Sequence, residues 1–346
     1  MAELFQVKDV DKAVYRESLS DFLPSRIIDA HTHIWKDEHS HHDAAALARA
    51  VTWPARVAKD NSVEDLIEGY RLLFPGKTVV PLMFSSLHEG DDMVAANDYV
   101  SASAAAHQFP ALIYAHPTWT GKDLEKRIRR GRFLGAKVYL NLSPAYLPEK
   151  EIRIFDFLPP HQLDVLNRNK CVVMLHIPRD GRLRDPVNLA QMLEIERTWP
   201  DIRLIIAHVG RAYCDEDMGN AFEILKATKR MVVDFSANTN DHTFEAAIRS
   251  LGPERCLFGS DMPITRMRMH RICESGRYIN VVPRGLYGDV SGDKNMREVD
   301  GPEADLLTFF MYEEVLAIKR AVERIGLGRA DVESIFYSNA KRFLRI

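Results

Sequence analysis

Cysteine is scarce in this chain: four in 346 residues, at positions 171, 214, 256 and 273, with no Cys-x-x-Cys pair. So scattered a set argues against a zinc ribbon or a disulfide framework and is expected to be reduced thiols in a cytoplasmic protein. Neither sign of charge dominates. The 46 Lys and Arg against 49 Asp and Glu leave a net charge of −3, which argues against a nucleic-acid partner. No stretch approaches the ~20 apolar residues of a membrane span. The opening MAELFQVKDVDKAVYRESLS is charged and has no apolar centre, so no secretory leader is expected there. A Gly-x-Gly-x-x-Gly after the first apolar run is also missing, which weighs against a doubly wound dinucleotide-binding sheet. What remains is ordinary globular material, 46% hydrophobic and 27% charged, long enough for one large α/β barrel or two smaller domains.

The chain is organised around Arg26-Ile27-Ile28-Asp29-Ala30-His31-Thr32-His33. An apolar run enters this stretch, and two histidines leave it at i and i+2. On a strand those side chains share a face and could share a metal ion; taken alone, the pair could equally be a hydrophilic strand end. Seven further short apolar runs follow, at 77–84, 111–117, 135–140, 171–178, 202–208, 231–236 and 256–261. Helical patterns separate them at 62–74 (opened by a capping-box-like Ser62-Val63-Glu64-Asp65), 91–107, 121–132, 161–169, 187–198, 219–228 and 243–250. Nearly unbroken apolar strands are those buried on both faces, as in a parallel sheet covered by helices. Eight such units predict a single (β/α)8 TIM barrel over residues 26–346, with a polar, partly helical N-terminal extension at 1–25. Segment 265–301, irregular and rich in Arg, Gly and Pro, is expected as an extended loop over the barrel mouth. Helices at 302–325 and 330–344 would complete the ring.

Function in such barrels sits at the C-terminal ends of the strands. There the sequence places His31 and His33, then His116, Lys137, His176, His208 and Asp261. One histidine ending an apolar strand is most simply a hydrogen-bonded core residue. Several at one end of consecutive strands are harder to satisfy separately, whereas a shared metal would satisfy them together. The histidines of Lys36-Asp37-Glu38-His39-Ser40-His41-His42-Asp43 read instead as a solvated loop.

His31-x-His33, His176, His208 and Asp261 in Gly259-Ser260-Asp261-Met262-Pro263, together with the ending Asn339-Ala340-Lys341-Arg342-Phe343-Leu344, resemble the amidohydrolase superfamily. More narrowly they resemble its "amidohydrolase 2" branch of metal-dependent decarboxylases, hydratases and dicarboxylate lactonases. The resemblance implies that His31, His33, His176 and Asp261 ligate one divalent metal, zinc most simply or manganese. It also implies that Asp261 takes a proton from metal-bound water and that His208 either supports the metal's ligands from behind or acts as acid or base on the substrate. A strand-four lysine is carbamylated and bridges two ions in two-metal relatives. The branch favours one metal, so Lys137 is read as an unmodified cation for a substrate anion, the alternative being a side chain reaching out of the barrel mouth.

Tyr139 shares a strand face with Lys137. Arg179, Arg182, Arg184, Arg211, Arg266, Arg268 and Arg271 all fall in loops on the same rim. Singly they could pair with Asp180, Asp185 or Asp215; together they favour a carboxylate-bearing ligand. Arg179 and Arg211 are the first candidates for binding it, and Asn238 could add a hydrogen bond. The expected activity is that of a hydrolase opening a lactone, ester or amide bond in a small carboxylated substrate. The alternative is a nonoxidative decarboxylase or hydratase of the same branch. Related barrels are often dimers, so a homodimer is a further expectation.

Overall fold

A computed structural model describes residues 4–41 and 54–346. The barrel strands are β1 Arg26–His33, β2 Thr78–Phe84, β3 Ile113–Tyr114, β4 Gly135–Val138, β5 Val172–Leu175, β6 Arg203–Ile206, β7 Val232–Asp234 and β8 Cys256–Leu257. After each comes a helix: α1 Val63–Leu73, α2 Met93–His107, α3 Gly121–Gly131, α4 Pro160–Arg168, α5 Pro186–Thr198, α6 Ala221–Leu225, α7 Asp241–Leu251 and α8 Phe310–Ile325. β1 pairs with β2, and β3 through β8 pair in sequence order, all in parallel. Single parallel bridges, Met83 to Ala111 and Thr32 to Met262, join the two sheets. The eight strands therefore neighbour one another in cyclic order, with short contacts rather than full ladders at those two joints.

Alternation along each strand divides the core into two layers. Ile28, Ala30, Val172, Met174, Ile205, Val232 and Leu257 point into the barrel, where Ala340 and Leu344 from the C-terminal segment join them. Ile27, Ala136, Val138, Val173, Leu175, Leu204, Ile206, Val233 and Cys256 point outward to the helices. That C-terminal segment packs at the strands' N-terminal end, where Arg203, at the start of β6, donates to Phe343 O. The opposite end is left for the polar side chains. α1 opens with the expected capping box: Ser62 Oγ accepts from Asp65 N, and the Asp65 carboxylate accepts from Ser62 N, both at 3.0 Å.

Three sequence expectations need correction. Segment 265–301 is not merely an extended loop, for it contains β9 His270–Glu274, β10 Arg277–Pro283 and β11 Met296–Val299, ordered β11-β10-β9. A two-residue turn at Ser275-Gly276, both with positive φ, joins β9 to β10 in an antiparallel ribbon. The expected helix 302–325 is interrupted at 307–309, where Phe309 bridges to Arg268 and Phe310 N donates to Met267 O. Cys214 and Cys273, 59 residues apart, form a disulfide, whereas Cys171 and Cys256 are free and buried. The bridge fastens the ribbon to the loop after β6, two elements that only tertiary folding brings together. Reducing it is expected to cost about 2–4 kcal/mol of stability, read as a lower Tm in dithiothreitol. An unchanged Tm would show that packing alone holds the ribbon.

The N-terminal extension carries a short helix, Asp9–Val14, and is anchored by Asp11, whose buried carboxylate accepts from Arg268 at 2.8 and 2.6 Å. Among the described residues no helix is long and apolar enough to cross a membrane.

Candidate metal centre at the barrel mouth

The inward phase of each strand delivers one polar group to the mouth. Lys137 lies between outward-facing Ala136 and Val138, His176 continues the inward series Val172 and Met174, and Asp234 follows inward-facing Val232 by two residues. β1 needs an adjustment, because strict alternation after Ile28 and Ala30 would put His31 outside. The β1–β2 register shifts between Asp29 and Thr32, one extra residue on β1. That bulge brings both His31 and His33 against the inward-facing Phe84 ring, at 5.1 and 4.7 Å. Thr32 points the other way, its hydroxyl donating to Leu82 O at 2.9 Å.

His31, His33 and His208 are each oriented through Nδ1. His33 Nδ1 lies 3.0 Å from Ser85 O and His208 Nδ1 lies 3.0 Å from Ser236 O. A carbonyl only accepts, so in the neutral ring Nδ1 carries the proton and Nε2 is bare. His31 Nδ1 lies 3.0 Å from the Asp234 carboxylate, with the same consequence. Burial lowers the pKa values of His31, His176 and His208 and so holds them neutral. The bare Nε2 atoms converge on Asp261. His33 Nε2 lies 3.1 Å and His31 Nε2 3.5 Å from Asp261 Oδ1. Ligand atoms of His31, His208 and Asp261 all fall within 4.8 Å of one another.

Lone pairs facing a carboxylate at such distances repel unless a cation lies among them, and a buried set of imidazoles and one carboxylate fits a divalent metal. Lys137 is buried, its Nζ 3.4 Å from His31 Nε2, and burial lowers its pKa to about 8.

Three acids behind the site carry its geometry and were missed in the sequence. Asp234, at the end of β7, holds His31 and accepts from the His208 and Ser236 backbone at 2.8 and 3.2 Å. Asp29 accepts from His31 N, Ser260 N and the Tyr70 hydroxyl at 3.1, 2.8 and 2.7 Å, tying the bulge to the turn that carries Asp261. Glu314 accepts from Ala237 N at 2.8 Å. Asp29 lies inside β1 and Asp234 directly ends its apolar run, and Glu314 sits in a helix, so none of the three carries a local signal of its role.

The backbone here is strained. His208, Val209, Arg211, Ala237 and Asp261 all have positive φ, a conformation that costs about 1–3 kcal/mol each and persists where surroundings enforce it. Gly259 is required by close approach, since a Cβ there would lie 2.8 Å from His31 Cβ.

The other expected residues divide. Tyr139 stacks on His176 at 4.4 Å. Arg211 Nη1 donates to Pro178 O at 3.0 Å and Ile177 O at 3.4 Å, and no acid lies in ion-pair range of it among the described residues. Arg179 is paired with Asp185 at 3.1 Å, and Arg182 with Asp217 at 2.5 Å. Arg268 is taken by Asp11. Asn238 holds Ala212 O and Asn240 N together at 2.9 Å each. His116 bonds Thr118 at 2.7 Å, away from the cluster. Contrary to the expected solvated loop, His39 ends a single 3-10 turn, Asp37–His39, and is half-buried, whereas His41 is exposed and His42 lies outside the described residues.

A family model described as amidohydrolase matches residues 28–274, well over half of the chain. The chain belongs to the amidohydrolase family. No curated protein matches it. Among solved structures it resembles an amidohydrolase from Burkholderia multivorans with bound zinc, at 13% identity and TM-score 0.56, covering 92% of this chain and 99% of that one. It also resembles a probable 2-pyrone-4,6-dicarboxylic acid hydrolase from Acinetobacter baumannii with citric acid bound, at 15% identity and TM-score 0.56, with coverage of 92% and 99%. A 4-oxalomesaconate hydratase from Rhodopseudomonas palustris gives 14% identity and TM-score 0.54, with coverage of 92% and 95%. At these identities the likeness is one of fold, and it agrees with the barrel architecture.

Proposed function

We propose that this amidohydrolase is a metal-dependent hydrolase of a small carboxylated substrate. The observation that carries the reading is the convergence of bare Nε2 atoms on Asp261 described above. His31, His33 and Asp261 hold the ion, with His176 as the further donor, because neither of its ring nitrogens is bonded to the protein and Nδ1 is sealed from solvent. Zinc suits this nitrogen-rich set, and the zinc-bound relative from Burkholderia supports it. When bound, the ion supplies Lewis-acid polarisation and makes a water acidic enough to ionise near neutral pH.

Asp261, ionised throughout the working range, accepts a proton from the attacking water. His208, neutral and fixed by Asp234 and Ser236, relays that proton, its bare Nε2 taking it from Asp261 and then passing it to the leaving oxygen. Lys137 and Arg211 orient the substrate carboxylate, and Tyr139 covers it. Proximity favours a second assignment, since His208 rather than His176 lies within 4.8 Å of His31 and Asp261.

Metal analysis of variants separates the two. The proposal expects about one equivalent in wild type, little in His176→Ala, and retained metal with lost turnover in His208→Ala. The converse pattern would exchange the two roles, and a metal-free protein after supplementation would sink the metalloenzyme reading. A panel of lactones and unsaturated or aromatic carboxylic acids, followed for acid release against CO2 release or hydration, tests the reaction type. CO2 release or hydration in place of acid release would make the chain a lyase.

A further inference from the structure

Arg271, on β9, is a buried guanidinium with no acid in ion-pair range among the described residues. Its Nε donates to Asn280 Oδ1 at 2.8 Å and its Nη1 to Ala237 O at 2.7 Å. The rings of Tyr213, Tyr278 and Phe310 surround it at 4.8, 4.7 and 4.5 Å. Nη2 makes no hydrogen bond, yet it is not among the polar atoms sealed from solvent. The nearby acid that could neutralise it, Glu314, is pushed toward its neutral form by burial. Burial raises the Tyr213 phenol to about 12, so that group supplies no counter-charge either. A desolvated cation without an anion is costly, and carbonyl and ring contacts compensate only in part.

Its position links it to the site. Tyr213 and Tyr278 meet edge to face at 5.0 Å, and Ala237, whose carbonyl takes Arg271 Nη1, directly follows Ser236, the carbonyl partner of His208 Nδ1. Arg182 also lies over both tyrosines at 5.2 Å but is neutralised by Asp217. The disulfide fastens the ribbon beside Tyr213. Arg271 is thus held through Nε and Nη1 with Nη2 unbonded, on an element outside the eight βα units.

We propose that Arg271 is a second anion receptor at the barrel mouth, and that the substrate is a dianion whose remote carboxylate it takes. This rests on the metal-dependent reading, in which Lys137 and Arg211 take the nearer carboxylate. It predicts a preference for molecules with two carboxylates.

The test is calorimetric titration of the full chain, after zinc supplementation, with glutarate and isophthalate against butyrate and benzoate. Wild type is expected to bind the dicarboxylates about ten-fold more tightly. Arg271→Gln should remove that preference while leaving butyrate and benzoate affinities unchanged, and Arg271→Lys, which keeps the charge but not the fork, should retain part of it. Equal affinities for both classes in wild type would overturn the proposal without any variant. So would a parallel loss for both classes in Arg271→Gln, which marks a rivet of the ribbon and not a receptor. Metal content measured on the same samples keeps the two readings apart: full metal with no preference sinks this inference alone, whereas lack of metal sinks the metalloenzyme reading and this inference with it.

Discussion

Asp261→Asn is expected to lower kcat by about two to four orders of magnitude, the span a positioned proton acceptor contributes. The substitution preserves size and removes only the ionised oxygen. Asp261 N, bonded to His31 O at 2.7 Å, keeps the turn in place, and asparagine tolerates the positive φ at this position. The fold should therefore survive, with a Tm near that of wild type. Metal affinity should fall as well, because an amide oxygen is a weaker ligand than a carboxylate. Kinetics at saturating metal separate the two effects. If turnover returns to the wild-type value once metal saturates, Asp261 is a ligand only and the proton acceptor must be sought elsewhere.

His31→Ala should be more damaging, because this ring links three charged groups. Its Nδ1 faces Asp234 at 3.0 Å, and its Nε2 faces Lys137 at 3.4 Å and Asp261 at 3.5 Å. Truncation leaves a buried cavity and an ammonium and a carboxylate each missing a partner, a cost of about 3 kcal/mol. Bound metal is expected to fall below about a tenth of an equivalent, since a catalytic site with one strong donor fewer loses most of its affinity. Elemental analysis and thermal melting on the same preparation read both effects. A variant that keeps its metal would place the ion away from β1. Asp234→Asn offers a milder comparison, with metal affinity down by about 10–100-fold, because the backbone donors of His208 and Ser236 still find an oxygen there.

The barrel was legible because its signals are local. Buried parallel strands read as short apolar runs, and a helix lies between each pair; no long-range information is needed to see either pattern. His31, His33, His176, His208, Lys137 and Asp261 were legible for the same reason, as polar residues ending apolar runs. Asp29 and Asp234 went unnoticed because each lies inside or directly beside its run, where an acid suggests nothing without its distant partner. For Asn238 and Arg179 a loop position on the rim says nothing about which protein neighbour meets the side chain. Asn238 joins two backbone segments, and Arg179 pairs with the acid that caps α5. The β9–β10 ribbon had a visible turn signal in Glu274-Ser275-Gly276-Arg277, set between β-branched runs, but the surrounding Arg, Gly and Pro obscured it.

The sequence by itself determined the eight βα units, the rim on which chemistry could occur and the residue types available there, since these follow from periodicity within ten or so neighbouring positions. The tertiary structure decided what periodicity cannot encode. It turned His31 inward through a bulge, joined Cys214 to Cys273 across 59 residues, and selected which arginines are neutralised and which are left free. Those outcomes depend on pairings between residues distant in the chain, whose energies exist only once burial has removed water from between them.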